Sequence, residues 1–293
     1  MQHTHRLVVV LAALLLAPPA WTQDRVLLIG DSWAGGFWFN RTMRAVFAAN
    51  GRPDITEWGE FTALGGSTAE GWSQPESLQL ITSELTSYPT LDTVQLVIGG
   101  NDFLAGAERG GWFVGMTPAQ EAEMISRIAA HIGVIVDHIL AHSAAMEVVV
   151  SLYDYLNFRD FPGPCIGLWN ELGSPTPRQV NDALNRFQDG IAAALAATRR
   201  VTVIDHRGLM QFTYGIPDEN IPPGALPPPG DPNHPSPMQA LDDCIHLLPD
   251  GLFAVGQQLW QRYYDQRFNG ATPTIFTDDF ERGDTSAWTS TVP

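Results

Sequence analysis

Residues 25–36 read RVLLIGDSWAGG, and this stretch decides the fold. Its apolar run, residues 26–29, predicts a buried strand, and the Gly-Asp-Ser that follows predicts the turn that ends the strand. A helical stretch comes next, so the segment is a junction between a strand and a helix. Ligands of open α/β sheets bind at the carboxyl ends of strands, so Ser32 stands where a functional residue is expected. A serine here also suits a helix cap, and this stretch alone leaves both interpretations open.

Four further apolar runs predict strands, and helical spacing separates them along the chain. The predicted strands lie within residues 55–64, 94–98, 147–152 and 201–205, and the predicted helices within residues 37–50, 75–87, 117–143, 176–198 and 252–268. Two of the helices begin with a capping box that carries proline at the first helical position, at Thr117 and Thr176. Five strands that alternate with helices predict a five-stranded parallel sheet in a three-layer α/β/α sandwich of the flavodoxin-like type.

The ends of the chain differ from this central domain. Residues 1–23 place Arg6 before a ten-residue apolar run and then two prolines, a pattern typical of a secretory signal peptide. We therefore expect a secreted or periplasmic protein with no stable membrane insertion after cleavage. Residues 24–270 form the predicted domain, and residues 271–293 form a tail similar to short segments at the ends of secreted bacterial proteins. Residues 215–237 hold nine prolines and predict an irregular loop, either a cover for the site or a spacer.

The composition excludes several classes of function. The chain has 293 residues and a net charge of −16, so it lacks the basic surface that nucleic acid binding needs. It contains no lysine, which excludes a P-loop and any Schiff-base chemistry on a protein lysine. Its two cysteines, Cys165 and Cys244, are free to pair in an exported protein, and we predict a disulfide between them.

Four short blocks stand at or beyond the ends of separate predicted strands. They are Gly-Asp-Ser at residues 30–32, Gly-Gly-Ser-Thr at 65–68, Gly-Gly-Asn-Asp at 99–102 and Asp-Cys-Ile-His at 243–246. In this order they resemble the SGNH (GDSL-type) hydrolase family, over residues 26 to about 268, and the whole chain looks like a secreted bacterial member. Trp33 stands where the family usually has leucine, and Gly65 before Gly66 leaves open which of the two glycines contributes.

The resemblance implies a serine ester hydrolase that needs neither a metal nor an organic cofactor. Ser32 would be the nucleophile, His246 the general base and Asp243 the residue that orients the base. The oxyanion donors would be the backbone N–H groups of Ser32 and Gly66 and the side-chain amide of Asn101. The substrate would be a small-molecule or polysaccharide ester, either esterase- or lipase-like or an acetylated carbohydrate.

Each of these residues also has a plainer interpretation. Asp31, Asp102 and Asn101 are common turn residues, and Asp242 competes with Asp243 as the partner of the base. The histidines His206 and His234 are alternative bases, and we prefer His246 because Asp243 precedes it by three residues. His131, His138 and His142 share one helix face, which predicts a solvated face rather than a metal site. A non-catalytic carbohydrate- or surface-binding protein on the same scaffold remains the alternative function.

Overall fold

The computed structural model describes residues 22–161, 163 and 165–270. The predicted tail, residues 271–293, lies outside the described residues, and so does the predicted signal peptide apart from its last two residues. Of the predicted domain, residues 24–270, the structure describes all residues but 162 and 164.

The core of the molecule is a five-stranded parallel sheet. Its strands are β1 (Gln23–Gly30), β2 (Ile55–Trp58), β3 (Thr93–Val97), β4 (Glu147–Ser151) and β5 (Val201–Ile204). They lie side by side in the order β2-β1-β3-β4-β5, and every pair is parallel. In the three central strands residues 26–30, 93–97 and 148–151 are buried, as expected for a sheet covered on both faces. The predicted flavodoxin-like α/β fold is confirmed.

Eleven α-helices connect the strands or follow them in the described residues. They are α1 (Ser32–Phe39), α2 (Thr42–Ala49), α3 (Ala69–Trp72), α4 (Pro75–Ser87), α5 (Gly100–Phe103), α6 (Pro118–His142), α7 (Ile166–Glu171), α8 (Pro177–Leu195), α9 (Leu209–Tyr214), α10 (Pro249–Leu259) and α11 (Asp265–Asn269). Helices α1, α2 and α10 pack together in one outer layer, and α3, α4, α6 and α8 form the other. The strand ends between these layers are where the sequence places its polar blocks.

The two long helices of the second layer begin where their capping boxes predict. The Thr117 hydroxyl accepts the Gln120 N–H while the Gln120 side chain accepts the Thr117 N–H, and Thr176 and Gln179 repeat this exchange. By length and composition alone α6 is also apolar enough to cross a membrane. In this fold it packs instead against α8, α4 and β4.

Two predicted helices differ from the structure in extent. The helix expected over residues 37–50 is divided into α1 and α2, because Arg41 adopts a left-handed conformation with φ of 53°. Helix α1 also starts earlier, at Ser32, since the Asp31 side chain caps it. The C-terminal helix is likewise interrupted by a π-helical turn, Trp260–Tyr264.

Candidate active site

The turn after β1 fixes the position of Ser32. Gly30 has a φ of 141°, and a Cβ built on it would lie 1.8 Å from the Val97 carbonyl oxygen, so only glycine fits there. The Asp31 N–H then donates to that same carbonyl at 3.0 Å. The Asp31 carboxylate accepts the Trp33 N–H at 3.0 Å and starts α1 with Ser32 as its first residue. The helix cap and the half-buried serine are therefore adjacent residues of one turn.

Ser32, His246 and Asp243 form one hydrogen-bonded chain. The Ser32 Oγ lies 2.8 Å from His246 Nε2, and His246 Nδ1 lies 2.6 Å from Asp243 Oδ2. An ionised carboxylate can only accept, so Nδ1 carries the hydrogen and Nε2 is left to accept the serine proton. The other Asp243 oxygen accepts the backbone N–H groups of Ile245 and His246, at 2.8 Å and 2.7 Å. The structure thus brings together the three residues for which the sequence predicted catalytic roles.

Electrostatics keep the Asp243 carboxylate ionised. Partial burial acts to raise its pKa, but the hydrogen bonds from His246 and from the two backbone N–H groups outweigh this effect. The pKa of Asp243 consequently lies below its ordinary value of 3.8. The neighbouring Asp242 is exposed and offers His246 only its backbone N–H, which donates to the His246 carbonyl at 2.9 Å. The structure therefore pairs Asp243, not Asp242, with the imidazole.

The loop that carries His246 is held from two sides. Trp33 Nε1 donates to the Ile245 carbonyl at 2.8 Å, so the tryptophan that replaces the usual leucine ties the serine helix to the histidine loop. Cys244 forms a disulfide with Cys165, as predicted, and this bond links the same loop to the segment after β4. Both links should restrict how far His246 can move from Ser32.

Gly66 lies on a loop, and Asn101 lies in the short helix α5; both are close to Ser32. The loop of Gly66 is tied to the end of β1, because the Leu64 N–H and the Ser67 hydroxyl both donate to the Gly30 carbonyl, at 2.8 Å and 2.9 Å. Gly66 itself has a φ of 79°, with open space where a Cβ would project. Asn101 Nδ2 donates to the Ser67 carbonyl at 2.9 Å. The amide carries a second hydrogen, which remains for a substrate oxygen.

Asp102, also in α5, links this helix to the start of α3. Its carboxylate accepts the N–H groups of Ala69 and Glu70 at the start of α3, at 2.7 Å and 3.3 Å. Burial raises the pKa of Asp102, although both backbone hydrogen bonds act in the opposite direction. The turn interpretation of Asp102 was therefore incomplete, since the residue caps a helix 33 positions away in the chain.

A buried hydrogen-bond chain that the sequence did not predict lies beneath the site. The Tyr153 hydroxyl donates to Asp31 Oδ2 at 2.5 Å and accepts the Gly100 N–H at 2.9 Å. Both side chains are almost completely buried, and burial raises the pKa of Asp31 to about 6. Tyr153 thus connects the turn of Ser32 to the start of α5, the helix that carries Asn101. No local sequence signal points to a contact between residues 122 positions apart.

Ser32 borders a small cavity of about 30 Å³, and a wider groove of about 620 Å³ lies next to it. Side chains of Trp33, Phe103, Tyr153, Leu156 and Leu184 line the small cavity. The groove contains Gly66 and polar residues of three helices, and the two spaces meet at Asn101, Leu104 and Ile245. No residue of the Pro-rich segment, residues 215–237, lines either space, so the expectation that it covers the site is not supported.

A comparison of the sequence with protein families decides the identity of the fold and its chemistry. The family model for GDSL-like lipase/acylhydrolase matches residues 26–259. The chain belongs to this family. As a GDSL-type acylhydrolase it is an enzyme that hydrolyses ester bonds. No curated protein matches the chain.

Solved structures share the fold of this acylhydrolase at low sequence identity. A carbohydrate acetylesterase family member from Sinorhizobium meliloti matches with a TM-score of 0.52 and 13% identity, over 85% of this chain and 100% of that one. An aryl esterase from M. smegmatis matches with a TM-score of 0.49 and 16% identity, over 80% of this chain and 96% of that one. The first of these two similarities shows the fold alone.

The acylhydrolase contains a second serine–histidine pair, which lies in the interior. Ser151 Oγ is 2.9 Å from His206 Nε2, and neither residue is exposed to solvent. The other ring nitrogen of His206 bonds to the Gln258 amide rather than to a carboxylate. Burial lowers the pKa of His206 to about 4, so the ring is neutral near neutral pH. This pair fills the core at the end of β4 and does not border the cavity or the groove.

A second aspartate–histidine pair shows that spacing alone did not justify the preference for His246. Asp231 precedes His234 by three residues, as Asp243 precedes His246. Asp231 Oδ2 lies 3.7 Å from His234 Nε2, beyond hydrogen-bond distance, and Glu219 lies 4.0 Å from the other nitrogen. His234 borders neither space beside Ser32. The contact with Ser32, rather than the spacing, distinguishes His246.

Candidate metal ligands of the acylhydrolase have other partners. His131 Nδ1 lies 2.8 Å from the Ser73 hydroxyl, and His138 Nε2 lies 2.8 Å from the Thr82 hydroxyl, so the two rings bond to different helices. One cluster of potential ligand atoms in the described residues joins Asp243 with Cys165 and Cys244. The two sulfurs are bonded to each other, which removes them as thiolate ligands.

Proposed function

We propose that this acylhydrolase is a secreted or periplasmic serine esterase that acts through Ser32, His246 and Asp243. The observation that carries the proposal is the unbroken hydrogen-bond chain from the Ser32 hydroxyl through the imidazole to the Asp243 carboxylate. A nucleophile, a base and an orienting group in contact are what acyl transfer by serine needs. A non-catalytic binding protein on the same scaffold would have no need for this arrangement, so hydrolysis is favoured.

The first half of the reaction forms an acyl-enzyme. The Ser32 Oγ attacks the ester carbonyl carbon while His246 Nε2 takes the hydroxyl proton, and Asp243 stabilises the imidazolium that results. Negative charge then develops on the carbonyl oxygen, which the N–H groups of Ser32 and Gly66 and the Asn101 amide stabilise. The tetrahedral intermediate collapses, and His246 gives its proton to the departing alcohol.

The second half of the reaction restores the enzyme. A water molecule loses a proton to His246 and attacks the acyl-enzyme, and the same donors stabilise the second oxyanion. The bond to Ser32 Oγ then breaks, the carboxylic acid leaves, and the serine recovers its proton. No redox or group-transfer cofactor takes part in this sequence.

Covalent labelling tests the assignment. We expect a p-nitrophenyl phosphonate to inactivate the enzyme and to release one equivalent of p-nitrophenol, with the adduct on the peptide that contains Ser32. Ser32→Ala should neither react nor turn over p-nitrophenyl acetate. Ser151→Ala is the matched control, because it removes the hydroxyl of the interior serine–histidine pair and should keep both properties. Turnover that survives in Ser32→Ala but is lost in Ser151→Ala would refute the assignment.

The export part of the proposal rests on the sequence of residues 1–23 and is supported by the disulfide, since disulfides persist in oxidising compartments. Expression of the full chain in a Gram-negative host should give a mature protein outside the cytoplasm. Its N-terminus, determined by mass spectrometry, should fall between residues 20 and 24. A cytoplasmic protein that begins at Met1 would refute this part without affecting the chemistry.

A further inference from the structure

Two adjoining spaces at the site differ in size and in chemistry: Ser32 borders the small cavity, and the wider groove meets that cavity at Asn101, Leu104 and Ile245. The small cavity of about 30 Å³ is bordered by the buried side chains of Trp33, Phe103, Leu156 and Leu184. An apolar cavity that binds benzene needs about 150 Å³. The space beside Ser32 is therefore large enough for one or two carbon atoms and too small for a longer chain.

The adjoining groove is about 620 Å³ and is lined by polar and apolar groups in similar measure. Its ionisable side chains are Glu70, Asp102, Arg109, Arg127 and His131. Two carboxylates and two guanidinium groups give the groove both hydrogen-bond donors and acceptors, with no excess of either charge. A neutral group that carries several hydroxyls complements such a lining, whereas an alkyl chain would desolvate these side chains without replacing their hydrogen bonds.

An ester extends in two directions from the carbonyl that Ser32 attacks. We propose that the substrate is an acetyl ester of a neutral polyhydroxylated alcohol, with the acetyl methyl group in the small cavity and the alcohol in the groove. This inference rests on the proposed function and names the substrate class of the same site. The acetyl group passes to Ser32 Oγ as the C–O bond to the alcohol breaks, the alcohol leaves with the proton from His246, and water releases acetate.

Acyl-chain length provides the first test, which needs no substitution. We expect kcat/KM for p-nitrophenyl butyrate to be lower than for the acetate by at least about tenfold, because each methylene that a pocket rejects is worth roughly that much. The octanoate should be lower still. Equal or better turnover of the butyrate or octanoate would overturn the proposal, while labelling of Ser32 would still uphold the proposed function.

Leu184 provides the second test, since it lies on α8 and forms one wall of the cavity. Leu184→Ala should raise kcat/KM for the butyrate relative to the acetate by about tenfold or more. The milder Leu184→Val should shift the same ratio in the same direction and guards against a variant that fails to fold. Leu195→Ala is the matched control, because Leu195 is equally buried on α8 but does not line the cavity, and its ratio should stay that of the wild type.

A ratio that is unchanged in both Leu184 variants would show that this wall does not limit the acyl group. The same measurement made with Leu195→Ala separates this result from a general loss of stability. If the ratio rises equally in Leu195→Ala, cavity width is not the cause and the proposal fails.

The alcohol side is tested with two acetates that differ only in the leaving group. Glucose 6-acetate should have a kcat/KM at least about tenfold higher than hexyl acetate, because only its alcohol offers hydroxyls to the groove. Glu70→Ala should raise KM for glucose 6-acetate by a larger factor than KM for hexyl acetate, because the Glu70 side chain lies in the groove while its N–H still bonds to Asp102. If methyl galacturonate is instead the better substrate, the ester binds in the opposite direction and the proposal is wrong.

Discussion

Tyr153 Oη donates a hydrogen bond to Asp31 Oδ2 across 2.5 Å, next to the serine that the proposed mechanism uses as nucleophile. The same oxygen accepts the Gly100 N–H, one residue before the asparagine assigned to the oxyanion. A single buried hydroxyl therefore sets the distance between the turn of the nucleophile and helix α5, which carries Asn101. Tyr153 is a positioning residue, because it acts on the reaction through Asp31 and Gly100.

Tyr153→Phe should lower kcat by about tenfold or more and leave KM nearly unchanged. The substitution removes one oxygen atom, so the Gly100 N–H loses its acceptor and Asn101 is less well placed for the transition state. Steady-state kinetics on p-nitrophenyl acetate measure the effect. Tyr155→Phe is the matched control, since its hydroxyl bonds to the Pro229 carbonyl rather than to the site. Equal losses in both variants, or a change confined to KM, would contradict a positioning role.

The pH profile gives a readout that a purely structural role would not change. Burial raises the pKa of Asp31 to about 6, and Asp31 must be ionised to accept both of its hydrogen bonds. Activity should therefore fall as the pH drops through about 6. The Tyr153 hydroxyl favours the ionised form, so the acid limb of Tyr153→Phe should move to higher pH. An acid limb at the same pH in both proteins would exclude Asp31 as its origin.

Alanine substitutions in the proposed catalytic set should have graded effects. Ser32→Ala and His246→Ala should each lower kcat by at least about 10³-fold, because the nucleophile or its base is lost. Asn101→Ala should cost roughly 10²–10³-fold in kcat, as expected for one oxyanion donor. Ser32→Ala combined with His246→Ala should lose little beyond the worse single variant, since the residues act as a unit. Full additivity in the double variant would be evidence against a common mechanism.

Reduction of the disulfide should lower activity before it unfolds the protein. The bond joins Cys165 to the loop of His246, and the two cysteines are 79 residues apart in the chain. Dithiothreitol should therefore lower kcat while far-UV circular dichroism is unchanged at 25 °C, and the unfolding free energy should fall by about 4 kcal/mol. In the double variant Cys165→Ala with Cys244→Ala, dithiothreitol should have no effect. Unchanged activity of the reduced wild type would contradict the role in holding His246.

His206 should make the protein less stable in mild acid. Burial lowers its pKa from 6.5 to about 4, so the unfolded chain takes up a proton that the folded protein rejects between these values. The free energy of unfolding should lose up to about 3 kcal/mol from this residue as the pH falls from about 6.5 to about 4. Urea unfolding of His206→Gln should show a flatter pH dependence over this range. His142→Gln, a change at an exposed histidine, should retain the wild-type slope.

The fold was accessible from the sequence because its signals are local. Apolar runs predict the buried parallel strands, and two complete capping boxes predict the starts of α6 and α8 to within a few residues. The division between α1 and α2 was missed, since no glycine or proline marks it and Arg41 is an unusual residue for a left-handed conformation. Packing of two short helices on the sheet outweighs the helical spacing in that region.

The residues of the site could be predicted from the sequence only in part. The blocks place Ser32 and Asn101 shortly after β1 and β3, whereas His246 lies well beyond β5 and is brought to Ser32 by the fold. The contacts of Tyr153 with Asp31 and of Trp33 with Ile245 depend on how layers pack, and neither has a spacing in the chain that could reveal it. The spacing of Asp231 and His234 equals that of the pair beside Ser32, so distance in the sequence could not separate them.

The residues Ser32 and His246 are separated by 214 positions. During synthesis from the amino end, the nucleophile is therefore present early, whereas its base is added only after all five strands have been made. Closing such a long loop carries a large entropic cost, which the contacts of the intervening strands and helices must repay first. Partly synthesised or truncated forms of the protein should consequently be inert towards esters, and activity should appear only with completion of the domain.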